Sequence, residues 1–456
     1  MKESFRLGRR RICLALVSAF ACVGLARGQS ASDSLASTNL AERAPDRLLL
    51  ADALRMAFER NWDLLAARSG VDTATAQLLV AKEFPNPTAS WSTFKIGAHE
   101  SSTTIGNGVW DRSYDTIAAI AQLIEIGGKR RDRQAAARYG VLGAKARFLD
   151  AKRSLDQGVT KAYVAAVLAG ANARILTESA GYMRHEREIA EARLKAGDIA
   201  ESDLKQIQVA TGQYELQAKS AEAAAIQARI ALEVLLGVNR PKGESQLTDS
   251  LDEIHLEPPS ASPLETTAAR PDVLAAETDL RAAKQNLKLQ KAMRIPDPTF
   301  SVGYEHEPPG GGPPVDTVNL GVSFPLPIWN RNRGNISAAQ AALDQSSFAL
   351  EKIRAQAASD LSDAETAYRE ASKRLQRYRE QIRPQSAAAR ASVAYKYEKG
   401  GATLVDLLEA ERTDNDVRIA TAQALADTAG AAASLAAARA AVSETELNSA
   451  KWQSSK

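Results

Sequence analysis

Two stretches of this chain reverse direction by the same device. The runs Leu194-Lys195-Ala196-Gly197-Asp198-Ile199-Ala200-Glu201-Ser202-Asp203-Leu204 and Tyr397-Glu398-Lys399-Gly400-Gly401-Ala402-Thr403-Leu404-Val405-Asp406-Leu407 each carry a helical pattern into glycine and restart it a few residues later. Gly197 and Gly400, Asp203 and Asp406, and Leu204 and Leu407 all stand 203 residues apart. Glycine takes a positive φ without strain, and Thr or Asp near the restart favours a new helix, so each run predicts the tip of a helical hairpin. A constant separation over several residue types predicts two tandem copies of one unit.

Each copy also predicts a strand hairpin. Pro-Asn-Pro-Thr at 85–88 returns as Pro-Asp-Pro-Thr at 296–299. In the second copy Phe300, Val302 and Tyr304 alternate with Ser301, Gly303 and Glu305, and Val318, Leu320, Val322 and Phe324 alternate with Thr317, Asn319, Gly321 and Ser323. That period of two gives strands with one apolar and one polar face. The first hairpin, about 88–124, alternates less regularly around a polar loop at 97–113 and is marked by Trp91 and Trp110; the second spans about 299–324.

The rest reads as helix. A first helix is predicted over 48–66 and continues through 69–83 until Pro85 and Pro87 stop it. The stretches 129–196 and 335–399 carry no convincing stop except Pro384. At 1.5 Å per residue each would be about 100 Å long, more than an ordinary soluble domain needs. The returning helices show a seam at alternating spacings of three and four: Leu204, Ile207, Thr211, Tyr214, Ala218, Ala221, Ala225, Ala228, Leu232 and Leu235. The second copy repeats it with Leu407, Ala410, Asp414, Val417, Thr421, Ala424, Thr428, Ala431 and Leu435. Small residues in mid-seam let axes approach closely, which suits a wall of many helices. With aromatics only 5% of 456 residues, the architecture is expected to be elongated, without a bulky core.

The expected organisation is a signal peptide at 1–28, a flexible segment at 29–47, a first repeat at 48–237 with its tip about 195–203, a Pro-rich connector at 238–270, a second repeat at 271–442 with its tip about 397–406, and a loose tail at 443–456. The signal reading rests on a basic start (Lys2, Arg6, Arg9, Arg10, Arg11), an apolar run at 12–21 and small residues at 24–26. Both cysteines, Cys13 and Cys22, fall inside it, so a disulfide framework or a cysteine metal site is not expected. Cys22 is an alternative lipidation site, although Ala19 stands where lipoprotein signals usually have Leu. The formal charge of +3 becomes about −1 once the +4 of residues 1–26 is removed, which gives no reason to expect nucleic acid as a partner.

Catalytic and metal-binding patterns are missing. His99, His185, His255 and His306 are scattered, and Glu305-His306-Glu307 is read as part of a Pro/Gly loop. No phosphate loop, nucleophile motif or carboxylate pair suggests an enzyme or a cofactor. Asp406 and Glu409 share a helix face beside the second tip, where they could form a charged ring in an oligomer or simply a solvated helix start favoured by the helix dipole. Four strands cannot close a membrane barrel, since the smallest have about eight, so several chains would have to pool them. Trp91, Trp110, Tyr114, Phe300, Tyr304 and Trp329 would then suit interfacial belts.

Over residues 48–442 the chain resembles the TolC-like outer-membrane efflux proteins. The motifs that carry the resemblance are Pro-Asn-Pro at 85–87, Ile-Glu-Ile-Gly-Gly-Lys-Arg at 124–130, Phe-Pro-Leu-Pro-Ile-Trp-Asn-Arg-Asn-Arg-Gly at 324–334, and Tyr397 with Gly400, Asp406 and Leu407. The 124–130 and 324–334 stretches look most like the heavy-metal, CzcC-like and CusC-like branch. The resemblance implies a mainly α fold with a small β part, assembled as a homotrimer with a shared twelve-stranded transmembrane barrel in outer-membrane lipid and a periplasmic α-barrel. It implies a passive export conduit for heavy-metal cations, docked to a periplasmic adaptor and an inner-membrane pump of the resistance-nodulation-division type. Asp406 and Glu409, with Asp203 and Tyr397, match the places that line the family's periplasmic aperture. Gly197, Gly400 and Gly401 match its tip turns, where the adaptor docks. The basic residue of the family's closed-state latch is replaced by Ala402, with Lys396 or Lys399 as substitutes. A multidrug or type I secretion conduit is the nearest alternative. A periplasmic coiled-coil adaptor would instead have one helical hairpin flanked by β-rich domains, and a secreted enzyme would need a polar constellation.

Overall fold

The computed structural model describes residues 45–94, 116–254, 268–307 and 315–442. The signal segment with its two cysteines, the 97–113 loop, Trp110, Tyr114, His99, His255 and the 443–456 tail lie outside the described residues.

The chain opens with a two-residue strand β1 (Arg47–Leu48), followed by helices α1 (Leu50–Arg60) and α2 (Trp62–Lys82). One helix was expected over 48–66, and the break between two is a tertiary effect. The Asn61 carboxamide oxygen accepts from the backbone N–H of Asp63 and Leu64 at 3.0 and 3.1 Å, while its amide nitrogen donates to the Leu235 carbonyl at 3.0 Å. A bond across 174 residues thus turns a periodic position into an N-cap.

Strands β2 (Thr88–Thr93) and β3 (Thr116–Leu123) precede α3 (Lys129–Ala196), a single helix of 68 residues, and α4 (Glu201–Leu235) returns beside it. A short strand β4 (Gln246–Leu247) pairs in parallel with β1. The second repeat comprises α5 (Pro271–Ala292), β5 (Thr299–Glu307), β6 (Val315–Ser323), α6 (Arg333–Arg377), a π turn (Tyr378–Ile382), α7 (Arg383–Glu398) and α8 (Leu404–Arg439). The π turn sits where Pro384 has no N–H to continue the ladder; the Arg383 N–H reaches back to Tyr378 and the helix passes on with its hydrogen bonds reset.

The helices pack as a layer in which α3 touches α2, α4, α5 and α8, and α8 touches α3, α6 and α7. Predicted seam residues Leu204, Ile207, Thr211, Ala218, Ala225 and Leu232 of α4 are buried, as are Leu407, Asp414, Ala424 and Leu435 of α8. Alanine dominates the buried residues of α8, so that helix meets its neighbours largely through small side chains, whereas α4 mixes Ala218 and Ala225 with Leu and Ile. The largest apolar cluster joins Leu48, Met56, Val159, Tyr163, Leu236 and Ala426, where β1, α1 and the chain after α4 wrap the middle of α3. Two carboxyl-bearing side chains, Glu233 buried and Asp249 half-buried, secure that wrap. Glu233 accepts from the Lys242 and Gly243 N–H groups and the Ser245 hydroxyl, and Asp249 accepts from the Leu50 N–H and lies 2.7 Å from the Tyr163 hydroxyl.

One four-stranded antiparallel sheet, in the order β2-β3-β5-β6, joins the two repeats. Glu305, His306 and Glu307 lie at the end of β5 and not in a loop; His306 is opposite Asp316 of β6, with Nδ1 and Oδ1 2.7 Å apart. Period-two alternation therefore extended further along the chain than the neighbouring Pro and Gly residues suggested.

Candidate functional site

Two regions present features that the fold does not consume within one chain: the sheet with its roots, and the paired tips. On the sheet, register places Trp91 beside Ala118, Ala118 beside Tyr304 and Tyr304 beside Val318, and in parallel rows Ile120, Val302 and Leu320, then Phe300 and Val322. Alternation puts all of these on one face, and among the described residues nothing covers it, since Val318 is 70% and Leu320 81% exposed. The opposite face carries Ser90, Ser92, Ser301, Glu305, Thr317 and Asn319. Among the described residues, strands β2 and β6 are the two edges, each paired on one side only.

The roots explain the 124–130 motif. Gly127 and Gly128 both adopt left-handed backbone, with φ of 72° and 79°. That double turn brings the Ile126 N–H to Asp297 Oδ1 at 2.9 Å and the Lys129 ammonium to the same oxygen at 2.7 Å. Lys129 also donates to the Ile295 carbonyl. Arg130 lies 3.8 Å from the Phe84 ring centroid and donates to the Lys82 carbonyl, and Arg133 binds Glu125 through two bonds. The motif thus clamps the first hairpin's root to the Pro-Asp-Pro of the second. Sequence reading identified these residues without their partners, since Lys129 and Asp297 are 168 positions apart.

At the tips, Gly197 and Gly400 are left-handed with φ of 82° and 75°, whereas Gly401 is not. The Asp198 N–H donates to the Arg193 carbonyl at 2.9 Å and the Gly401 N–H to the Lys396 carbonyl at 2.8 Å, so the same cap closes α3 and α7 at the 203-residue offset. No atom would meet a Cβ at Gly197 or Gly400, so backbone conformation alone selects glycine there. The tips pack on each other through Ala190, Leu204, Ile207 and Leu404, with Leu194, Tyr397 and Leu408 against them.

Tyr397 is half-buried in this cluster, and the cation on its ring is Arg193 of α3, with Cζ 5.5 Å from the centroid. Lys399 lies instead over the Tyr395 ring. Burial raises the Tyr397 hydroxyl above its ordinary pKa, Arg193 opposes this, and Glu186 and Asp203 add to it. Asp203, Tyr397 and Arg193 therefore share one electrostatic neighbourhood. Asp406 and Glu409 remain exposed at the start of α8. The Asp406 carboxylate accepts from the Thr403 N–H at 2.9 Å and from its hydroxyl at 2.7 Å, forming a capping box that lowers its pKa.

A duplicated set of long helical hairpins that carries a sheet with a bare apolar face and two open edges defines the protomer of a membrane channel. The chain belongs to the outer membrane efflux protein family, whose pattern matches residues 53–238 and 263–441. It is 25% identical over 410 residues to the cobalt-zinc-cadmium resistance protein CzcC of Cupriavidus metallidurans, across 89% of this chain and 93% of that one. It is 25% identical over 341 residues to the nickel-cobalt-cadmium resistance protein NccC of Alcaligenes xylosoxydans xylosoxydans, across 74% and 72%. It is also 25% identical over 409 residues to the pyoverdine export outer membrane protein OpmQ of Pseudomonas aeruginosa, across 85% and 84%. The solved structure of CusC shares the fold at a TM-score of 0.70 and 19% identity, over 86% of this chain and 92% of that one. This protein is an outer-membrane efflux channel component that extends into the periplasm.

Proposed function

We propose that three copies pool their sheets into a twelve-stranded barrel and their hairpins into a periplasmic tube, forming the exit conduit of a tripartite system for heavy-metal cations. The observation that carries the assembly is the sheet: four strands with open edges and a bare apolar face cannot satisfy their backbone in a bilayer until neighbours close the ring. A periplasmic adaptor and an inner-membrane pump are the partners that such a conduit requires. The exposed tips at Gly197, Gly400 and Gly401 are the surface offered to the adaptor. The metal reading is supported by the cobalt, zinc, cadmium and nickel resistance named for CzcC and NccC. A siderophore or other small organic cargo is the second reading, favoured by equal identity to the pyoverdine exporter. A strain lacking this protein should lose resistance to cobalt, zinc or cadmium. Unchanged metal tolerance together with siderophore retention would favour the second reading.

In the trimer Asp406 and Glu409 ring the narrow periplasmic end, with Asp203, Tyr397 and Arg193 behind them. Carboxylates brought together on one axis attract cations and oppose one another's ionisation. Asp406→Asn with Glu409→Gln should weaken cation block and cation preference in planar bilayers while the trimer mass in detergent stays intact. Unchanged conductance and selectivity would reduce the pair to a solvated helix start.

A further inference from the structure

Beyond the sheet, the chain continues to expose apolar side chains where a strand no longer requires it. Phe324, Leu326, Ile328 and Trp329 are 54%, 66%, 58% and 93% exposed. They do not hang on a slack loop. Pro325 and Pro327 fix two φ angles, and the Ile328 N–H donates to the Leu326 carbonyl at 2.9 Å across Pro327. The Asn332 N–H donates to Asn330 Oδ1 at 3.0 Å, and Asn332 itself takes a left-handed φ of 57°, the one positive φ outside glycine among the described residues. Its side-chain amide donates to the Gln290 carbonyl of α5 at 2.8 Å. The loop is thus stiffened at both ends and holds Trp329 at its apex.

Three arginines flank that apex. Arg331 and Arg333 follow it in the chain, and Arg333 shares with Arg294 an open groove of about 560 Å³ between the end of α5 and the start of α6. The groove also contains Asp344, whose carboxylate accepts from Gln340 at 3.0 Å. Among the described residues, none of Arg294, Arg331 and Arg333 has an ion-pair partner. Most other arginines of the helical layer are paired, including Arg133, Arg147, Arg270 and Arg383.

Topology decides which side of the membrane this is. Strand β5 leaves the helical end and β6 returns to it, so segment 324–333 lies at the periplasmic end of the sheet, directly continuous with its bare apolar face. Tryptophan favours the boundary between acyl chains and headgroups, and arginine binds phosphate oxygens through its fork of donors. We propose that segment 324–333 is a phospholipid-binding collar, with Trp329 seated in the periplasmic leaflet and Arg294, Arg331 and Arg333 holding the phosphates of anionic phospholipid. The collar rests on the outer-membrane location and is independent of the exported cargo.

The test uses the full mature protein reconstituted in vesicles of phosphatidylethanolamine with or without phosphatidylglycerol. A nitroxide on Trp329→Cys, in a mature chain expected to have no other cysteine, should be readily relaxed by oxygen and poorly by a water-soluble nickel chelate. Strong relaxation by the chelate would place the site in water. A label immobile and shielded from both would place it against protein. Either result overturns the collar. Phosphatidylglycerol should also raise the melting temperature of the reconstituted protein by several degrees. The triple variant Arg294→Gln, Arg331→Gln, Arg333→Gln should lose that increment while keeping its helical signal and channel conductance. An increment that survives in the variant removes the arginines from the proposal, whereas lost conductance would implicate assembly and not the lipid contact.

Discussion

The two helical hairpins share a backbone plan and differ in what holds them. In the first, α3 buries Ala180, Met183 and Ala190, and the polar seam residue Thr211 is satisfied by the Met183 and Ile207 carbonyls at 3.1 and 2.8 Å. The residue 203 positions later is Asp414, equally buried, and its Oδ1 accepts from Arg383 at 2.9 Å and Ser386 at 2.6 Å across the hairpin. Arg390 and Glu411 form a second pair at 2.7 Å, with Arg390 against the Tyr182 ring. Helix α7 buries no residue. Duplication therefore preserved the geometry while the cohesion of one copy moved from packing to charge. A hairpin held by ion pairs separates at lower cost than one held by interdigitated side chains, and its stability depends on the solution.

The largest test of this contrast is a pair of substitutions at equivalent positions. Asp414→Ala leaves Arg383 without its partner and should cost about 2 kcal/mol, with the arginine's partial exposure limiting the loss. Amide exchange over α7 should accelerate accordingly. Thr211→Ala removes one neutral hydroxyl and should cost about 1 kcal/mol, with little change in exchange over α4. Equal effects at the two sites would erase the distinction. Next in size is salt. Raising ionic strength from 0.1 to about 1 M shortens the screening length from roughly 10 to 3 Å, which should loosen α7 against α8 more than α3 against α4, where the cross-hairpin pair Arg184–Glu215 is long, at 3.7 Å, and exposed.

The smallest effect is a response to acid of opposite sign in the two hairpins. Asp406 has a lowered carboxyl pKa because Thr403 bonds its charged form. Its contribution is present above the ordinary carboxylate range and is lost as pH falls through its lowered value. Glu186 of α3 has a raised pKa, chiefly through burial. Its charged form weakens the folded state above the ordinary range, and protonation relieves this as pH falls through the raised value. Corrected for the intrinsic pH dependence of exchange, protection on α3 around Glu186 should rise as pH falls toward the ordinary carboxylate range, and protection of the first amides of α8 should drop only once pH falls below that range. Parallel responses at both places would show that the tips behave as one unit.

Much of the architecture was legible in the sequence because duplication repeats information. Gly197 and Gly400 announced the turns, and alternation from Phe300 to Phe324 announced the strands. The parts that escaped depend on contacts far apart in the chain. Asn61 reads as an ordinary helical position until the Leu235 carbonyl arrives beside it. Arg193 lies in the other repeat from Tyr397, so no local pattern pairs them. Asp414 was visible in the seam, but its burial against Arg383 depends on how α7 continues past the π turn. Glu305 to Glu307 were misplaced because Pro and Gly just beyond them outweighed two more steps of alternation.

The open edges of the sheet have a consequence for inheritance. In the proposed assembly, strands β2 and β6 each receive a strand from a neighbouring copy, which satisfies their backbone in the bilayer. A closed ring made from identical subunits fails wherever one of them fails. A variant whose β6 edge cannot pair, expressed beside the normal protein, would enter most rings and disable them, so such an allele should be dominant even though the normal copy is still made.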